Sequence, residues 1–177
     1  MRRPIRMIED VYLRNDPRHQ QIPKAYAELK GSRLAPELRG YVLFIDVPDG
    51  TEVVVEVVGL PPYRPGEGKR EPIGPHGFHI HEYGNCSGGE EEEPFPKTGK
   101  HWNPSNDPHG HHAGDFPVLF SNNGYAKMSF FTNRFKVNEI VGKSIVIHEN
   151  PDDFRTQPDG KSGKKIGCGE IQLYQDI

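Results

Sequence analysis

No apolar run approaches the roughly 18 residues a membrane-spanning helix needs, so no transmembrane helix is expected. The start, MRRPIRMIED, is positively charged but has no apolar stretch behind it, and it does not read as a secretory leader. The expected placement is cytoplasmic as the chain stands, or extracytoplasmic if a leader has been removed. An excess of positive charge is missing as well. Twenty-two Lys and Arg against 25 Asp and Glu leave a net charge of -3, which argues against a nucleic-acid partner. No window carries the pattern of a long amphipathic helix. Cysteine is scarce: Cys86 and Cys168 stand alone and far apart. By themselves they could be a disulfide, two free thiols or metal ligands.

What the chain has instead is glycine, proline and histidine. Its 20 Gly and 17 Pro, with 33% apolar residues, suit a loop-rich all-β domain better than a helical bundle. The length of 177 residues fits one domain. Residues 1–22 are polar and proline-punctuated and read as an N-terminal extension, either loosely held or packed on the barrel or a second subunit. His19 lies there as a solvated residue. Residues 23–177 read as the domain.

Strand text begins at AYAELKG. GYVLFIDV and TEVVVEVVGL flank Pro48-Asp49-Gly50, a hairpin signal, because Asp-Gly tolerates the positive φ of a tight turn. GFHIHEY, GYAKMSFFTNRF after an Asn123-Gly124 turn, KSIVIHE and IGCGEIQLY follow. The count comes to about eight strands with no obligatory helix, a Greek-key barrel or sandwich. Two long polar segments interrupt it. One runs from His101 to Pro117 and the other is NPDDFRTQPDGKSGKK; long ordered loops of this kind are usually functional. The acidic run Glu90 to Glu93 reads as a solvated loop tip.

Seven of the nine histidines fall between His76 and His112. Clustered imidazoles with a nearby carboxylate point to a transition-metal site. His79 and His81 sit at i and i+2 of a strand, so both imidazoles share one face while Phe78 and Ile80 face the core. His148, ending an apolar strand, could add a third nitrogen, and several histidine nitrogens in a flattened set suit Cu(II). His109, His112 and Asp115, with His101 upstream, form a set suited to tetrahedral Zn(II). His101 could serve either group, and a deprotonated imidazole can bridge two metals. Only two residues separate His109 from His112, and His111 competes with His112, although HHAGD favours the second. His76 reads as a loop residue hydrogen-bonded to backbone, and Trp102 as a packing wall.

GFHIHEYGNC, GKHWNP, HG followed by HHAGD, VIHENPDD and GKKIGCGEI together resemble the copper/zinc superoxide dismutase family, over roughly residues 25–171. The resemblance implies an eight-stranded Greek-key β-barrel with both metals between two long loops. It implies copper on His79, His81, His101 and His148, and zinc on His101, His109, His112 and Asp115, with His101 as the bridge. Asp152 would connect ligands of the two metals, and Cys86 and Cys168 would form an intrasubunit disulfide. The implied reaction is superoxide dismutation to dioxygen and hydrogen peroxide, with His101 moving a proton. Lys165 stands where the family usually has arginine and is the expected innermost guide for the anionic substrate. Lys161, Lys164 and Arg155 are further cations of the same loop. The other reading on the same fold is a non-catalytic copper/zinc-binding module for storage or delivery. A homodimer is the candidate assembly, although the family's dimer contacts vary and do not transfer.

Overall fold

The computed structural model describes residues 22–174; the expected N-terminal extension, with His19, lies outside them apart from Ile22. Seven strands form one antiparallel sheet: β1 (Lys24–Gly31), β2 (Arg39–Val47), β3 (Gly50–Val58), β4 (Phe78–His81), β5 (Ala126–Thr132), β6 (Ser144–His148) and β7 (Lys165–Leu173). Their order across the sheet is β4-β6-β7-β1-β2-β3-β5. The crossings from β3 to β4 and from β5 to β6 give it Greek-key connectivity. One short helix, α1 (Val137–Ile140), lies between β5 and β6.

The eighth barrel position is held by an irregular segment. Residues 114–119 run along the free edge of β4 through hydrogen bonds from Ile80 N–H to the Gly114 carbonyl, Phe116 N–H to Phe78 and Leu119 N–H to His76. The chain then turns at Asn123 (φ 52) and Gly124 (φ 83) into β5. Two successive positive φ values are what an Asn-Gly hairpin turn supplies. Phe116 closes the gap, packing on Phe78 of β4 at 5.3 Å and on Phe130 of β5 at 5.0 Å. A continuous strand ladder does not form here because the register slips by one residue between the His79–Asp115 and His76–Leu119 bridges, and Asp115 turns its carboxylate onto the Gly110 N–H.

Pleat alternation builds the core. Ala25, Leu29, Val42, Phe44, Val53 and Val55 turn inward and are fully buried, joined by Phe78 and Ile80 of β4. The β2–β3 register pairs Val47 with Gly50 across Pro48 and Asp49, with Asp49 at φ 65, as the hairpin text anticipates. On β4 the same alternation sends His79 and His81 to the other face, where they are also buried.

Cys86 and Cys168 are disulfide-bonded across 82 residues. The bridge ties the loop after β4 to β7. In the chain-entropy picture a closed loop of that size removes about 4–5 kcal/mol of denatured-state freedom. Phe95 and Val146 pack with the two cysteines in a small cluster on the outer face of β6 and β7. That cluster fixes the loop preceding His101.

Candidate metal centre

Four imidazoles meet beside β4 and β6: His79, His81, His101 and His148. Three of them hang from strands, and each strand ligand has one nitrogen already committed. His79 Nε2–H donates to Asp152 Oδ2 at 2.6 Å. His81 Nδ1–H donates to the Gly99 carbonyl and His148 Nδ1–H to the Gly163 carbonyl, both at 3.0 Å. Each bond selects a tautomer, so the opposite nitrogen presents a lone pair. The fourth imidazole, His101, comes from the loop. Its backbone forms an isolated bridge with His81, and Trp102 N–H bonds to the Ile80 carbonyl at 2.8 Å, so the loop enters the site in strand-like register. Trp102 itself packs into the core against Phe135.

The second group is His101, His109, His112 and Asp115. Asp115 organises it. Its Oδ2 accepts N–H bonds from Gly110 (2.8 Å) and His112 (3.1 Å), leaving Oδ1 facing His101 Nδ1 at 3.2 Å and His112 Nδ1 at 3.3 Å. Two ligands about 2.0–2.1 Å from a tetrahedral ion lie about 3.3 Å apart, so this spacing fits Zn(II). The two-residue gap between His109 and His112 is accommodated by a tight turn, in which His111 N–H bonds to the Pro108 carbonyl and Asp115 N–H to that of His112. The choice between neighbouring histidines is made by exposure. His112 is 6% exposed against Asp115, whereas the His111 side chain is 70% exposed and faces Asp107.

The donor atoms fit metal ions on their own chemistry. His79 Nδ1, His101 Nε2, His109 Nδ1 and His112 Nδ1 are buried without a hydrogen-bond partner. An unpaired buried polar atom costs about 1–3 kcal/mol, and four converging ones are an arrangement that cations would satisfy. His81 Nε2 and His148 Nε2 face each other at 3.2 Å; both are lone-pair atoms in the tautomers fixed above, so an ion between them removes a repulsion. Burial holds His79 and His81 well below the ordinary histidine range, helped by neighbouring imidazoles. Burial, with His101 adding, lowers His148 to about 3. All three are therefore neutral ligands at neutral pH. Burial alone would raise Asp115, but its hydrogen bond with His101 and the nearby His109 and His112 hold its carboxyl below the usual value.

His79, His109 and Asp152 also lie close together, but this is not a third ion site. Asp152 Oδ1 accepts from His109 Nε2 at 2.8 Å while Oδ2 accepts from His79. The carboxylate thus touches both imidazoles directly and links the groups. Asp153 is exposed and caps the turn at Arg155 and Thr156. His76 is buried, with Nδ1–H donating to the His148 carbonyl at 2.9 Å.

Lys165 is half-buried, and its ammonium donates to Thr98 Oγ1 at 2.8 Å and to the Phe95 carbonyl at 3.3 Å. Burial lowers its pKa, opposed by Glu93. Its charge in turn depresses His81 and His148. Arg155, Lys161 and Lys164 are exposed on the loop between β6 and β7.

Three supporting residues carry no signal in the sequence. Gln157 grips the His109 peptide, its Oε1 accepting from His109 N–H at 2.7 Å and its Nε2 donating to the carbonyl at 3.3 Å. Gly160, at φ 65, leaves the space in which Asp152 meets His109; an added Cβ would lie 2.0 Å from Asp152 Oδ1. Arg134 reaches the His112 carbonyl. Each acts on backbone or space that only the fold brings near.

The β-barrel carries two buried groups of metal-ligand type that share one imidazole, His101, the arrangement of a metal-binding protein. The family model described as copper/zinc superoxide dismutase (SODC) matches residues 38–171. The Cu-Zn superoxide dismutase of Deinococcus radiodurans is 35% identical over 153 residues, covering 77% of this chain and 78% of its own. Superoxide dismutase 3 (Cu-Zn) of Arabidopsis thaliana is 31% identical over 153 residues, covering 77% and 84%. The crystal structure of a double mutant of a SOD-like protein from Bacillus subtilis superposes with a TM-score of 0.64 at 29% identity, covering 83% of this chain and 96% of that one. The chain belongs to the copper/zinc superoxide dismutase family.

Proposed function

We infer that the chain is a superoxide dismutase whose copper is held by His79, His81, His101 and His148 and whose zinc is held by His101, His109, His112 and Asp115. The observation that carries the site assignment is the set of unpartnered, converging imidazole nitrogens, with His101 facing one group through Nε2 and the other through Nδ1. When bound, copper supplies the redox cycle: one superoxide gives up an electron and leaves as dioxygen, and a second receives one and leaves as hydrogen peroxide.

The chain supplies ligation, orientation and protons. Asp152 and the carbonyls of Gly99 and Gly163 fix the strand imidazoles. His101 Nε2 is the atom that takes up a proton in one half-cycle and hands it on in the other; solvent provides the second proton that hydrogen peroxide requires. Asp115 Oδ1 beside Nδ1 keeps the ring from turning while Nε2 changes state. Lys165 guides the anion through its charge on the His81 and His148 side, although its ammonium is tethered to the 95–99 segment.

The test is elemental analysis and a superoxide-decay assay on the same sample. We expect one copper and one zinc per chain and catalytic decay. Copper bound without zinc under zinc-replete conditions would show that the 109–115 turn does not form the site. Both metals bound with no catalysis would leave the binding-module reading.

A further inference from the structure

Arg134 belongs to neither ligand loop. It follows β5, where its N–H bonds to Thr132 Oγ1 at 3.3 Å. The next residue, Phe135, is 3% exposed and packs edge-on against Trp102 and Phe44. From this fixed point Arg134 Nη1 donates to the His112 carbonyl at 2.8 Å and approaches the Asp115 carbonyl at 3.4 Å. Nη1 carries two N–H groups, one for each oxygen.

Of the two residues, Asp115 is bridged to His79 of β4, as His101 is to His81, so His112 is the ligand that the rest of the molecule holds least. His109 is gripped by both Gln157 and Asp152. His101 is bridged to β4. The bonds placing His112 and Asp115 mostly run within the turn: Gly110 and His112 N–H to Asp115 Oδ2, and Asp115 N–H to the His112 carbonyl. Such bonds shape the turn; Asp115 is placed by its bridge to His79, while His112 depends on the turn and on Arg134. Gly114 and Phe116 attach the chain on either side of Asp115 to neighbouring backbone. Among the described residues, Arg134 is the one donor from outside the turn to the carbonyls of His112 and Asp115 themselves. With only Gly110 and His111 between the two zinc histidines, the turn has little slack to correct a displaced carbonyl.

We propose that Arg134 is a positioning residue for the zinc group, holding the backbone of His112 and Asp115 at the spacing their donor atoms need. This rests on the zinc assignment above. Arg134 touches no donor atom and no part of the copper group, so its direct effect falls on zinc retention. Supporting residues around metal ligands are typically worth about 10–100-fold in affinity. Acting through backbone from an exposed position, Arg134 belongs at the lower end, about tenfold.

The experiment loads Arg134→Met, which keeps the stem and loses the donors, with copper and zinc, and follows zinc release to a chromophoric chelator. Arg134→Gln, shorter in reach, carries the same expectation should the Met variant prove insoluble. Arg134→Lys restores one donor and should release zinc at an intermediate rate. We expect about tenfold faster zinc release, copper release unchanged, and a changed visible band when Co(II) replaces zinc. Zinc release at the wild-type rate would overturn the proposal, and so would equal acceleration of copper release, which marks general loosening. His112→Ala separates the two levels: if it retains zinc as the wild type does, the zinc assignment fails, whatever Arg134 does.

Discussion

The two ligand groups hang from different kinds of structure. Three of the proposed copper ligands stand on β4 and β6, in a paired sheet, with backbone fixed by ladder bonds between β4, β6 and β7. Their aim follows from the pleat, and each needs only one further bond to choose its tautomer. Three of the proposed zinc ligands stand on a seven-residue turn, 109–115, whose shape comes from the Asp115 carboxylate bonding Gly110 and His112 N–H, from the bridge of Asp115 to β4, and from three outsiders, Gln157, Asp152 and Arg134. A strand makes a site by periodicity, whereas a turn makes one by local closure and borrowed anchors. His101 belongs to both: it is a loop residue in strand register with His81.

The shared imidazole, His101, is where the two groups are most exposed to a single change. His101→Ala should abolish activity and weaken both metals, because it removes the shared ligand. His148→Ala should abolish activity and lose copper while keeping the fold and most zinc. Elemental analysis of both variants decides it. If they lost the same metal to the same extent, the division into two groups with one bridge would be wrong.

That division is largely legible in the sequence, for a physical reason. His79 and His81 at i and i+2 declare a shared face without any structure. The turn text HGHHAGD declares a cluster but leaves His111 and His112 in competition; exposure settles this, and exposure is a property of the folded turn. An eighth strand can be counted but not located, because residues 114–119 pair irregularly and carry no alternating pattern. Arg134 reads only as part of strand text, since a guanidinium acting on distant carbonyls leaves no spacing to find. Gln157 and Gly160 are hidden in a polar loop for the same reason.

Acid should loosen the metal-free protein, and the strand group should account for most of the effect. His148 titrates near 3 when folded against an ordinary 6.5, and His79 and His81 are also lowered by burial. The unfolded chain therefore binds more protons across this interval, and stability rises with pH there. Thermal midpoints of the metal-free protein should fall as pH drops from 6.5 toward 3. His148→Ala should flatten that dependence. A midpoint unchanged across the interval would show that these imidazoles are not held neutral by burial.

The smallest expected effect tests a cation beside the strand group. Lys165→Glu should slow the reaction at low ionic strength, Lys165→Ala less so, and the slowing should shrink with salt as the Debye length falls from about 10 Å at 0.1 M to about 3 Å at 1 M. Lys165→Arg should improve binding of small anions such as azide, because a planar fork orients an anion better than a point charge. Wild-type rates for copper-loaded Lys165→Glu at low salt would transfer the guiding role to Lys164 or Arg155.

Asp152 has a consequence for the order in which the site fills. Its two oxygens are divided between His79 and His109, one imidazole from each group. Ordering either ring orders the carboxylate, and an ordered carboxylate has already met part of the conformational cost of ordering the other ring. Whatever change in affinity occupancy on one side carries across Asp152, thermodynamic reciprocity makes the factor identical in both directions. Filling of the two positions is therefore a linked equilibrium.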